Sequence, residues 1–212
     1  AHVLQVGGRR MESAPMRMHN AVQAVVDELT GRLNDVPTEA ELRTLVDAAW
    51  AAHGPTDHGY AEEYRQVSDD LLQFFIQLRQ GETRRAPQSL SLRFDEAEIV
   101  VTAHEEIDAG RSTVFRRIRT GRKTSTAVTA LDAAAFQIAA DGRGEAEFVY
   151  LTGGERDLLN MSDRQLGSRK KKIANAAIAI VEGRFPPNRS DRCARCPYFF
   201  ICNAPPAGTL RK

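Results

Sequence analysis

Residues 97–123 read AEIVVTAHEEIDAGRSTVFRRIRTGRK, and here the chain abandons the helical period that precedes it. The stretch carries β-branched runs and partial alternation, broken at Ala109-Gly110 and again at Gly121-Arg122-Lys123. Such runs between glycine-containing breaks predict strands. With SLSLRF (89–94) upstream, they predict three consecutive antiparallel strands, the second running through AEIVVTAHEEID (97–108). Alternation also sorts the arginines: Arg117 and Arg119 share one face of their strand, and Arg116 faces the other way.

Outward from this stretch the period is helical. In HNAVQAVVDELTGRL, starting at His19, the residues Ala21, Val22, Val25, Val26 and Leu29 fall on one face. In TEAELRTLVDAAWAAHG, Thr38 is an N-cap with Glu41 three residues on, a capping-box pattern, and Gly54 closes the helix. A third helix carries Leu71, Leu72, Phe75 and Leu78, and Trp50 is expected to pack between these helices. Downstream, ALDAAAFQIAADG predicts a helix ending at Gly142, EAEFVYLTGG a further strand, and DRQLGSRKKKIANAAIAIVEGRF a long helix stopping at Gly183. Strands followed by helix, strand and helix predict an α/β or α+β domain around one central sheet. Three parts follow: a helical subregion over 18–80, a sheet-and-helix core over 88–185 and a cysteine tail over 186–212, within one domain spanning 1–212.

Composition narrows the function classes. A net charge of +1 over 212 residues means that any nucleic-acid affinity must come from local patches. Two are present. Arg116, Arg117, Arg119, Arg122 and Lys123 crowd the end of the third strand, and Arg169, Lys170, Lys171 and Lys172 lie on the last helix. Solvated helix faces often look like the second patch. No apolar run reaches the roughly 20 residues of a membrane span, and the first residues lack the apolar core of a secretory signal. The chain does not begin with Met, so a fragment of a longer polypeptide is expected.

The three cysteines, Cys193, Cys196 and Cys202, all fall within RCARCPYFFIC. Clustering without distant partners argues against a disulfide framework and for a reducing, cytoplasmic compartment. Thiolates at this spacing suit an iron–sulfur cluster or zinc, and Pro197 favours a tight turn beside an apolar cover. No histidine sits at a short ribbon-like spacing, so a zinc site would need a distant fourth ligand.

GRFPPNRSDRCARCPYFFIC resembles the C-terminal iron–sulfur staple of the RecB/AddB-type PD-(D/E)XK nuclease family, whose members often end UvrD-like helicases. The resemblance covers nearly the whole chain. It implies a restriction-endonuclease-like α/β core with a central mixed sheet, a helical N-terminal insertion and a 4Fe-4S cluster on the three cysteines plus one upstream cysteine. His19, in RMHNAVQAVV, matches the family's metal-ligating histidine. Asp108, in EEID, matches its metal-binding acid, with Glu105 where the family has glycine. In the motif D-x-K-T-G-K, Thr120 and Gly121 are kept, but Arg117 replaces the acid and Arg119 the catalytic lysine. The final motif, Q-x3-Y, gives Asp132 and Phe136.

A magnesium site needs carboxylates. A guanidinium in place of one puts a cation where a cation should bind, a repulsion of about 4 kcal/mol at 4 Å and an effective dielectric near 20. Arginine can grip phosphate but cannot be deprotonated. The resemblance therefore implies a nuclease fold with degenerate remnants His19, Asp108, Arg117 and Arg119. Such a domain would bind DNA, single-stranded by expectation, beside helicase motor domains in cis or in trans. The chain itself has no G-x-x-x-x-G-K-[ST]. The alternative is an active metal-dependent DNA exonuclease with a rearranged site, built from Glu105, Glu106 and Asp108 with His19.

Overall fold

The structure is a computed structural model that describes residues 12–32, 37–94 and 97–184. Cys193, Cys196 and Cys202 lie outside the described residues. Three helices come first: α1 (Ala14–Gly31), α2 (Glu39–His53) and α3 (Ala61–Arg79). Next come β1 (Thr83–Arg85), β2 (Leu90–Phe94), β3 (Ala97–Val101), β4 (Glu105–Asp108) and β5 (Thr113–Arg122). A short 3-10 turn (Ala127–Thr129), α4 (Leu131–Ala140), β6 (Glu145–Thr152), β7 (Glu155–Leu158) and α5 (Asp163–Val181) complete the order.

The helix starts are chemically marked. The Thr38 hydroxyl accepts the Glu41 N–H at 3.3 Å, and the Glu41 carboxylate accepts the Thr38 N–H at 2.8 Å, forming the expected capping box. The same reciprocal pair forms between Ser162 and Gln165 at the start of α5. Trp50 joins the apolar cluster between the helices, with the Arg65 guanidinium 5.5 Å from its ring centroid. Gly54 is required beside it, since a Cβ there would lie 2.6 Å from the indole Cδ2.

A five-stranded mixed sheet runs in the order β1-β4-β5-β6-β7. Only β5 and β6 are parallel, a pairing that needs a crossover, and α4 supplies it. The expected strand over 97–108 divides in two. β3 pairs with β2 in a separate hairpin, whereas β4 pairs with β5 and β1 in the main sheet. The break falls at Thr102–His104, between the two paired segments. Each face of the main sheet has its own core. Ile118, Val149 and Leu151 pack with Val22, Val26, Leu29, Leu72 and Phe75 of α1 and α3. Phe115, Phe148 and Tyr150 pack with α4, Ile173 of α5 and the β2–β3 hairpin. Phe136 stacks on Phe148 at 5.6 Å between centroids, across the α4–sheet interface. Burial of each such side chain is worth about 1.5–3 kcal/mol before its entropy cost.

One part of the interior is ionic. Arg116 is 1 % exposed and points away from Arg117, as alternation requires. Its Nε donates to Glu147 at 2.6 Å, and its two terminal nitrogens donate to Glu82 at 2.7 and 2.8 Å. Glu105, also buried, lies 3.3 Å from the same guanidinium and bridges to Arg79 at 2.9 Å and Arg84 at 3.4 Å. Arg79 donates further to the carbonyls of Leu29 and Arg32, tying the end of α1 to the end of α3. Burial alone would favour the neutral form of Arg116. Its bonds to Glu82 and Glu147 outweigh that and raise its pKa above the ordinary arginine value.

Arg116 is therefore withdrawn from the DNA-facing cations expected on this strand. Removing one partner of a buried ion cluster strands the others, at a cost of about 3–5 kcal/mol. Arg116→Met is expected to lower the unfolding free energy by that amount in urea titrations, while Arg117→Met on the same strand changes it by about 1 kcal/mol or less.

Candidate functional site

The parallel register of β5 and β6 sets Arg117 beside Phe148 and Arg119 beside Tyr150. All four project from the α4 side of the sheet. At this end of β5 a cleft of about 560 Å³ opens. Its walls are Gln23 of α1, His104, the run 117–122, Thr124, Ala127, Asp132 and Tyr150. The whole RIRTGR motif thus lines one cavity, with Asp132 opposite.

Each cation is held differently. The Arg119 guanidinium lies over the Phe148 ring, 3.9 Å from its centroid, and is ion-paired to Asp132. Stacking on an aromatic face and pairing at one edge fix the plane of the group. Arg117 is half-buried and Arg122 exposed, and neither has a carboxylate partner among the described residues. Lys123 is engaged by Asp157 at 2.8 Å and Glu155 at 3.4 Å, which raises its pKa. Arg169, Lys170, Lys171 and Lys172 lie on α5, with the three lysines exposed and none of the four in the cleft wall.

The other expected remnants do not converge here. Asp108 pairs in register with Thr113, four residues and about 13 Å of strand before Arg117 at roughly 3.3 Å per residue. It accepts the Gly110 N–H and is ion-paired to Arg85, and these hold its carboxyl below the usual range. Glu105 faces the opposite side of β4 and is taken up by the arginine cluster, so Glu105, Glu106 and Asp108 form no shared pocket. Among the described residues, no three His, Cys, Asp or Glu side chains group to hold a metal. His19 sits one turn before Gln23 on α1. Its Nδ1 is buried without a hydrogen-bond partner among the described residues, and burial lowers its pKa.

Among the cleft residues not anticipated are His104, Gln23 and Tyr150. His104 extends the β4–β5 pairing by one position, donating its backbone N–H to Arg116 O at 2.9 Å. Its Nδ1 accepts the Ile118 N–H at 3.0 Å, which places the ring proton of the neutral form on Nε2. Burial lowers the His104 pKa, so the ring is neutral near pH 7 and adds no charge. Gln23 donates to Asp27 at 2.7 Å on the helix above. Tyr150 is 2 % exposed, and its hydroxyl has no hydrogen-bond partner among the described residues. Only the register of β6 against β5, absent from the linear sequence, could have placed it there.

With His104 neutral, three guanidiniums face one carboxylate, and the cleft carries two positive charges in excess. Its second wall is the start of α4, whose N-terminal dipole also favours an anion.

No protein-family model matches the chain, and no curated protein matches it. Four solved chains resemble it. One, SSO0001, aligns over 94% of this chain and 90% of its own length, at 11% identity and a TM-score of 0.40. A likeness at that TM-score carries neither fold nor function across.

His104 gives the cleft a pH signature. A histidine whose folded pKa lies below its unfolded value near 6.5 contributes stability that is present above 6.5 and lost as pH falls toward the folded value. The wild-type unfolding free energy should fall from pH 7.5 to about pH 5.5. In His104→Gln that fall is expected to be smaller, with His19 supplying part of what remains. Urea titrations at the two pH values measure it.

Proposed function

We propose that this chain is a non-catalytic PD-(D/E)XK nuclease-like domain that binds DNA and serves as a scaffold for the motor domains of a repair or recombination helicase. The observation that carries this reading is the placement of Arg117, Arg119 and Arg122 around one cleft, where the resemblance expects an acid and a lysine gathering magnesium. The β4–β5 hairpin, the α4 crossover and the parallel β6 are compatible with the core that the resemblance implies. Arg117 and Arg122 offer cations without carboxylate partners, and Arg119 a braced planar fork. Such groups bind phosphates, release counterions, and give salt-dependent and sequence-tolerant affinity. Single-stranded DNA, whose backbone can bend into a cleft, is the preferred ligand. Lys170, Lys171 and Lys172 extend the same chemistry along α5.

Catalysis would require the cleft to gather a divalent cation. Its only carboxylate among the described residues, Asp132, is already paired with Arg119, and a second positive charge stands beside it. Metal-assisted hydrolysis has no ligand set there.

Cys193, Cys196 and Cys202 would hold the 4Fe-4S cluster that the resemblance implies. Three soft thiolates fit that group as donors, with a fourth ligand from elsewhere, and zinc is the alternative. The cluster's contribution would be to close the fold, with no part in DNA chemistry.

Mobility shifts with a labelled single strand should show binding that weakens roughly tenfold between 50 and 200 mM salt, as a few phosphate contacts require. Arg117→Ala combined with Arg119→Ala should lower affinity by about tenfold and flatten that salt dependence. Degradation of the strand in Mg2+ or Mn2+ that EDTA abolishes would overturn the reading. Anaerobically prepared protein should be brown with visible absorbance, and Cys193→Ser should lose both colour and solubility. A colourless wild type containing stoichiometric zinc would replace the cluster by zinc.

A further inference from the structure

The Tyr150 hydroxyl is the odd group in the cleft. It belongs to a side chain that is 2 % exposed and lines the cavity, and no group among the described residues satisfies it. A buried hydroxyl without a partner costs on the order of 1–3 kcal/mol relative to a satisfied one, so its retention at a cavity wall points to a ligand. Its neighbour is Arg119, whose guanidinium carbon lies 5.8 Å from the Tyr150 ring centroid. Arg119 is itself locked between Phe148 and Asp132. Both groups are fixed before anything binds, and fixed donors lose little freedom on binding.

The charge of the cleft sets the kind of phosphate. A phosphodiester inside a strand carries one negative charge and two non-bridging oxygens. A terminal phosphate monoester carries close to two charges near pH 7 and three non-bridging oxygens. The cleft offers two excess positive charges, guanidinium forks from Arg117 and Arg119, and one hydroxyl donor. A volume of about 560 Å³ accommodates one terminal nucleotide with its phosphate.

We propose that this cleft is an end-reading site: it seats the terminal phosphate monoester of a DNA strand, with the Tyr150 hydroxyl and the Arg117 and Arg119 guanidiniums donating to the phosphate oxygens. This rests on the DNA-binding reading above and adds the class of DNA group bound. The strand enters from the Arg122 side, where the motif runs out to solvent. Hydroxyl-ended DNA uses the same cations through an internal phosphate, without the second charge and without the Tyr150 bond.

The test is fluorescence anisotropy at fixed salt with internally labelled single strands of one sequence. The strands carry a 5′-phosphate, a 3′-phosphate or hydroxyls at both ends. One phosphate-ended strand should bind about tenfold or more tightly than the hydroxyl-ended one, the size of a charge-assisted hydrogen bond plus the extra charge. Tyr150→Phe should cut that preference to about threefold or less. Loss of an unsatisfied hydroxyl should not lower its thermal midpoint, which checks that the variant is folded. Equal affinities for all three strands would overturn the end-reading site and leave the DNA-binding reading standing. A Tyr150→Phe variant that keeps the full preference would also overturn it. Failure of the wild type to bind any strand would overturn both readings.

Discussion

A guanidinium sealed from water sets the terms for this fold. Arg116 is reached by Glu82, Glu105 and Glu147, so α3, β1, β4, β5 and β6 are tied through one charge centre. Buried ion clusters of this kind add little to stability over an apolar core of the same shape. Their effect here is to join segments that are far apart in the chain. Glu82, Glu105 and Glu147 come from three different segments, and the single guanidinium of Arg116 holds all three.

The same strand then serves two chemistries. On one side β5 closes a charged interior against α1 and α3. On the other it presents Arg119 stacked on Phe148, with Asp132 at its edge. Phe148 is held in turn by Phe136 of α4. The position of one cleft cation is therefore set by the aromatic core, and its guanidinium gains the rigidity of a packed interior.

Much of the architecture could be read in the sequence. The stripes of α1 and α3, the capping box at Thr38, the long β5, and the succession α4, β6, α5 all follow from period, caps and glycines. Two short strands were missed. Thr83–Arg85 and Glu155–Leu158 are mostly exposed and have no apolar alternation, so only their partners make them strands. AEIVVTAHEEID was read as one strand because both halves are β-branched or apolar, and nothing local says that they belong to different sheets. The RIRTGR motif, singled out in the sequence, lines one cleft. Its neighbours were less legible: Asp108 sits at the far end of the hairpin, while His104 and Tyr150 reach the cleft only through pairing registers. Counting cations along the strand also overestimated the surface charge, because Arg116 is spent inside.

The sheet ends, on both sides, in strands of three and four residues, Thr-Arg-Arg and Glu-Arg-Asp-Leu. An outermost strand with free backbone groups is an invitation for another chain to add on. Here the invitation is brief and lined with opposite charges that demand hydration. A neighbouring polypeptide would gain few backbone bonds and would have to strip water from arginine, glutamate and aspartate. Short, charged outer strands of this kind keep the sheet from growing into an aggregate.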